Sequence, residues 1–123
     1  MAGSLTRDTA VFGFTSDEDL TAKVGYAVEV ESDNVRVFDG TGTPFGVVLD
    51  GEAATGKSTI ATFAGASGTV KVKLAGTVAF GASLEVTSAG LFQTQSSGDV
   101  FAVAMEAGTA DELIEAALVM YEP

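Results

Sequence analysis

The chain has no cysteine, no histidine and no tryptophan, only two prolines, and six basic residues against seventeen acidic ones. Each shortage removes a class of function. Without cysteine there are no disulfides. Without histidine as well, the usual ligands for zinc, copper and haem and the usual general base are gone, so no catalytic residue, metal or cofactor is expected. A formal charge of −11 repels nucleic acid and anionic lipid, which argues against a partner of either kind. No apolar run reaches membrane-spanning length, and no basic stretch leading into an apolar one opens the chain, so the protein is expected to act where it is made or assembled.

What the chain does hold is glycine, fifteen in 123 residues, among short apolar runs. That composition fits many short strands joined by glycine turns rather than helices. The length is one domain's worth, enough to bury roughly two-thirds of the unfolded surface in a single core.

One stretch occurs twice. Moving 56 positions along from Gly25–Ala54 gives Gly81–Ala110 without a gap. Gly25/Gly81, Glu29/Glu85, Val30/Val86, Ser32/Ser88, Gly42/Gly98, Phe45/Phe101, Val47/Val103 and Ala54/Ala110 are identical. Val28/Leu84, Val35/Leu91, Leu49/Met105 and Asp50/Glu106 keep their character at the same strand phase. The domain is therefore read as two related β units, 25–80 and 81–123, behind an N-terminal arm of residues 1–14 that orders on a partner.

In chain order, Val11, Phe12 and Phe14 form an apolar island, and Ser16 to Leu20 a turn with capping-box spacing. Val24 to Glu31 alternate as a half-buried strand, with Glu29 and Glu31 in a solvent-facing row. Ser32-Asp33-Asn34 turns the chain into Val35 to Phe38. Phe45 to Leu49 reads as a covered strand, Gly51 to Gly68 as a glycine-punctuated excursion, and Val70 to Leu74 as an alternating strand continued by Thr77 to Phe80. The second unit adds Leu84 to Val86, Leu91 to Thr94 and Val100 to Met105. Glu112 to Tyr121 has helical propensity, but its place in the repeat answers Val70 to Leu74, so it is assigned as a closing strand. The fold expected is all-β, a small barrel or sandwich of short antiparallel strands with at most short helical turns.

Gly51-Glu52-Ala53-Ala54-Thr55-Gly56-Lys57-Ser58 matches the phosphate-loop pattern G-x-x-x-x-G-K-[ST] and follows an apolar strand. That chemistry needs a helix starting at the lysine, so that backbone N–H groups cradle phosphates while Lys57 reaches them and Ser58 holds a metal. Here the run after Ser58 breaks at Gly65, no β-α-β order surrounds it, and the second unit repeats the site as Ala107 to Ile114 with neither Lys nor Ser. Gly51, Gly56, Lys57 and Ser58 are judged a lookalike on a surface β loop. Asp17-Glu18-Asp19 lacks the glycine bend of a hard-cation loop and reads as a solvated turn. Lys71 and Lys73 are expected to be solvated or to pair with carboxylates, and Phe12, Phe14, Phe63 and Phe80 to enter the core.

The order of elements resembles the phage capsid decoration, or capsid cement, proteins of the DUF2190 type. The residues that carry it are Ala10 to Phe14, Asp19-Leu20-Thr21 and Gly25 to Val28, then Phe45 to Val48, Val70 to Leu74 with Gly76, and Glu112 to Ala116. The resemblance implies a non-catalytic virion protein, made in the host cytoplasm, that sits as a homotrimer on the outer capsid surface. There it would bind the major capsid protein of a phage head and stabilise the lattice. Leu5, Val11, Phe12 and Phe14 are the candidate capsid contacts. A glycan- or receptor-binding β module on the virion is the alternative, with exposed Tyr26 or Phe38 as its sign, and a nucleotide-binding protein the remote one.

Overall fold

The computed structural model describes residues 11–64 and 68–122. Ten strands make two five-stranded antiparallel sheets, stacked as a sandwich. The first sheet holds β1 (Val11–Thr15), β2 (Ala27–Glu31), β3 (Asn34–Val37), β4 (Gly46–Asp50) and β5 (Lys57–Thr62). The second holds β6 (Thr69–Lys73), β7 (Ser83–Val86), β8 (Phe92–Thr94), β9 (Val100–Ala104) and β10 (Leu113–Glu122). Their strand orders, β1-β5-β4-β2-β3 and β6-β10-β9-β7-β8, are the same path walked twice, so the units as folded are β1–β5 and β6–β10, and residues 69–80, read from the sequence as part of the first unit, fold with the second. In each sheet one parallel bridge draws the two edge strands together, Ser16 to Val35 in the first and Leu74 to Phe92 in the second.

The duplication reaches the backbone. Gly25 and Gly81 share a left-handed φ of 88° and 84°, and Thr55 and Asp111 share 70° and 71°. The Leu20 N–H donates to the Glu52 carbonyl as Val78 does to Gly108. The 56-residue shift needs one adjustment. Ser32 and Asp33, both at positive φ, make a two-residue hairpin between β2 and β3, whereas the β7–β8 turn is a residue longer. The structural counterpart of Val35 is thus Phe92, not Leu91, since each lies opposite the matching valine, Val30 and Val86. Between equivalent residues the next connection, Thr94 to Ala102 against Val37 to Gly46, is one residue shorter and restores the register.

Alternation on the central strands buries both faces of the first sheet. Val28, Val48 and Ile60 join Leu20 and Val35 in a cluster within the first unit, against which Phe14, Val37 and Phe45 pack. The intervening Ala27, Val47 and Ala61 enter a larger core with Phe63, Val72, Leu84 and Phe92 that ties the units together. At about 25 cal/mol per Å² of apolar surface, this shared core is the main source of cohesion between the sheets.

Several expectations are corrected. Lys57 to Thr62, read as part of a loop, is β5. The last strand, β10, does pair with β6, but it is the counterpart of β5. Thr77 to Phe80 is a turn with a single bridge, Val78 to Gly108, and not a continued strand. Val11 to Phe14, placed in the arm, pairs with β5 as β1, while residues 1–10, Leu5 among them, lie outside the described residues.

Candidate functional site

The backbone and the serine of the phosphate-loop lookalike are engaged within the fold, while the Lys57 side chain is exposed. Lys57 opens β5 opposite Thr15, and no helix starts there. The Thr55 N–H donates to the Ser16 carbonyl at 2.9 Å and the Gly56 N–H to Ala53 at 2.8 Å, so neither faces outward as a cradle. Ser58 is fully buried, sharing a hydrogen bond with the Ser16 hydroxyl at 2.5 Å and accepting one from the Glu52 N–H at 2.8 Å. A side chain at Gly51 would run into the Leu20 carbonyl oxygen, so that glycine serves close packing. The second unit turns in the same way at Thr109 to Glu112 with none of the motif's residues, and the positions of Ser16 and Ser58 are filled there by Leu74 and Ile114. The loop's shape belongs to the repeat.

The acidic turn is equally committed. Asp19 Oδ1 accepts from the Thr21 N–H at 3.0 Å and its hydroxyl at 2.7 Å, which hold the carboxyl below the usual range. Glu18 accepts the Val37 N–H at 2.9 Å, closing the free edge of β3. Lys71 pairs with Glu106 and Glu115 at 3.8 and 3.7 Å on an exposed face, an arrangement worth little in free energy.

The polar centre lies where alternation pointed outward. Glu29, read as solvent-facing, is 3% exposed, and its counterpart Glu85 is 7% exposed. The loop of residues 39–45 folds over Glu29, whose Oε1 accepts the Gly42 N–H at 3.2 Å while Oε2 meets Arg36 Nε at 2.8 Å. Arg36 also reaches Asp39 at 3.3 Å and Glu31 at 3.6 Å, and the hydrogen bond to Glu29 raises its already high pKa, with help from those carboxylates. Glu85 Oε1 takes three N–H groups from the β8–β9 loop, Ser96 at 3.1 Å, Ser97 at 3.3 Å and Gly98 at 2.7 Å, and Oε2 takes the Gln93 amide at 2.6 Å. Burial alone would raise the Glu85 carboxyl. These four donors outweigh it and hold the pKa below the ordinary value. An added Cβ at Gly42 or Gly98 would stand 2.8 or 2.9 Å from the glutamate oxygen, which explains why both positions are glycine. The sequence did carry this signal, because Glu29/Glu85 and Gly42/Gly98 are two of the identical pairs.

The two loops face each other across a cavity of about 250 Å³. Phe38, Phe101 and Pro44 supply apolar wall, and Glu85 and Asp99 supply carboxylates. Glu85 is spent on its own loop, so the cavity offers no arranged acid–base pair. Of the candidate contacts, Val11 packs against the shared core and Phe14 stands edge-on to Phe45 at 5.2 Å, whereas Phe12 is 54% exposed. Phe63 is core as expected, but Phe12 and, at 75% exposed, Phe80 are not.

No protein-family model matches the chain, and no curated protein matches it. Among solved structures, the fold is similar to that in the crystal structure of the head fiber gp8.5 N base of bacteriophage phi29. The TM-score is 0.60 at 13% identity, over 94% of this chain and 98% of that one. At this identity the likeness establishes a shared architecture that runs through the whole of both chains.

Proposed function

We propose that this is a structural protein of a phage virion, attached to the outside of an assembled head, which it reinforces without catalysis or cofactor. The observation that carries this reading is the fold shared from end to end with the base of a phage head fiber. Three features support it. The order of elements resembles the DUF2190 decoration proteins. The charge of −11 keeps such a protein off DNA and from nonspecific clumping before heads are ready. The glutamate-held loops and the lysine loop are tied to the body by their backbone groups, and Ser58 is buried.

The mechanism is linkage. A protein that binds only the expanded lattice of the major capsid protein stabilises that lattice by its own binding free energy, about 2.7 kcal/mol per site at a free concentration one hundred times Kd. Repetition over many sites, and a trimer spanning neighbouring subunits, multiply the effect. The glycan alternative asked for exposed Tyr26 or Phe38. Phe38 is 8% exposed, and Tyr26 is half-buried with the Lys23 ammonium 4.7 Å from its ring centre, so neither is a sugar platform.

The test is co-sedimentation of the purified protein with expanded and unexpanded heads that lack it, followed by heating. Saturable binding to expanded heads with a raised disruption temperature is expected. Absence of binding to either form would end the proposal, and saturable Mg²⁺-nucleotide binding abolished by Lys57→Ala would replace it.

A further inference from the structure

The two units of the chain do not meet as equals. In a two-fold arrangement equivalent residues of both units would share the contact. Here Ala27, Val47 and Ala61 are fully buried in the shared core, while their counterparts Ser83, Val103 and Ala117 are only half-buried. The contact is therefore heterologous, one side of the first unit against a different side of the second. Outside this contact each unit keeps exposed apolar residues whose counterparts in the other unit are in use, and on the first unit these free sides are the rim of its own buried cluster.

Exposed apolar side chains mark these free sides. On the first unit Phe12 and Val30 are 54% and 51% exposed, and their counterparts Val70 and Val86 lie in and against the shared core. On the second unit Met105 is 46% exposed, and its counterpart Leu49 packs against that core. Gly25 and Gly81 show the same contrast in backbone geometry alone. A Cβ on Gly25 would strike the Leu113 side chain of the second unit and stand 2.9 Å from the Lys73 nitrogen, whereas a Cβ on Gly81 meets nothing within 4 Å. Beside Gly81 stands Phe80, the most exposed large apolar residue described.

We propose that the chain associates with further copies of itself head to tail, the free face of one copy's second unit around Met105 and Phe80 seating against Phe12 and Val30 of the next copy's first unit. The contact between units inside the chain is thereby repeated between chains. A heterologous contact of this kind closes into a ring when its rotation allows, and extends otherwise. This inference rests on the duplication and not on the virion reading, so a chain that binds heads as a monomer would refute it, and the trimer with it, while leaving head binding and reinforcement standing.

The experiment is light scattering and native mass measurement of the full chain over a concentration series, with Phe12→Asp, Met105→Asp and their mixture. Both changes are at exposed positions, and circular dichroism verifies the fold. Wild type is expected to self-associate, and each variant alone to do so on the order of tenfold or more weakly. The mixture is the sharper readout. One variant keeps the face that the other has lost, so together they form a pair that grows no further. A wild type that stays monomeric throughout, a variant that assembles undiminished, or a mixture that forms no pair overturns the proposal. So does a Phe12→Asp protein that loses head binding while keeping its self-association.

Discussion

Across the strand from Glu29 stands a guanidinium, Arg36, at 2.8 Å; across from Glu85, in the same place in the second unit, stands a neutral amide, Gln93, at 2.6 Å. The first carboxylate leans on charge and takes one loop N–H, while the second takes three and needs no cation. Both hold the loop before the fourth strand of their sheet. What has been kept through the duplication is therefore the task, a buried acceptor closing a loop, and not the means. The same contrast runs through the two cores. The second unit fills with Leu74, Ile114 and Phe92 the places where the first has Ser16, Ser58 and Val35, and the first answers with a cluster of its own under Leu20.

The largest effect should come from the core. Phe92→Ala empties a fully buried site shared by both sheets and is expected to destabilise the protein by about 3–5 kcal/mol, lowering the urea midpoint in one cooperative transition. If Ile60→Ala, in the first unit's own cluster, produced a separate early transition, the units would be less firmly joined than the shared core implies.

Next are the paired glycines. Alanine at either Gly25 or Gly81 takes up a left-handed backbone at a cost of about 1–2 kcal/mol. Only at Gly25 does the new methyl also meet the other unit, so Gly25→Ala should be the more damaging of the two by thermal melting. Equal losses would mean that the inter-unit contact yields freely.

At the loops, Glu85→Ala strands four donors and should cost about 1–3 kcal/mol. Arg36→Gln takes the cation from the buried Glu29 but leaves an amide able to donate to it, as Gln93 does to Glu85, and a smaller loss of about 1 kcal/mol is expected. Comparing denaturant midpoints ranks them, and the reverse order would put charge ahead of backbone capture.

The smallest effect concerns pH. The Glu85 pKa is lowered on folding, so its contribution is present in full above the unfolded carboxyl value and drains away as pH falls through the lower folded one. Wild type should lose stability on acidification more steeply than Glu85→Gln across that range. Parallel curves would show that the loop hydrogen bonds do not discriminate the charged form.

Much of the fold could be read in advance, because strand alternation and identical glycines are local or pairwise signals. The two strands missed have a common cause. β5 sets a single β-branched apolar residue, Ile60, among Ser, Thr and Ala and sits behind a phosphate-loop pattern, and β1 is recognisable as a strand only through its pairing with β5. Glu29 was misplaced because alternation assigns a side to a residue but does not say that the loop of residues 39–45 folds back over that side. Phe80 was misplaced in the opposite direction, because hydrophobicity alone does not say that the turn carrying it after β6 is left uncovered.

The sequence by itself determined a duplicated all-β chain with a strongly acidic surface, since periodicity, glycine placement and charge depend on residues near one another or repeated at a fixed interval. Tertiary structure alone decided which face of each sheet is covered, that the two glutamates are inside, and that Ser58 is sealed from solvent. Those outcomes depend on how two copies of one pattern pack against each other. An asymmetric contact gives identical residues different surroundings, which no reading of either copy alone can contain.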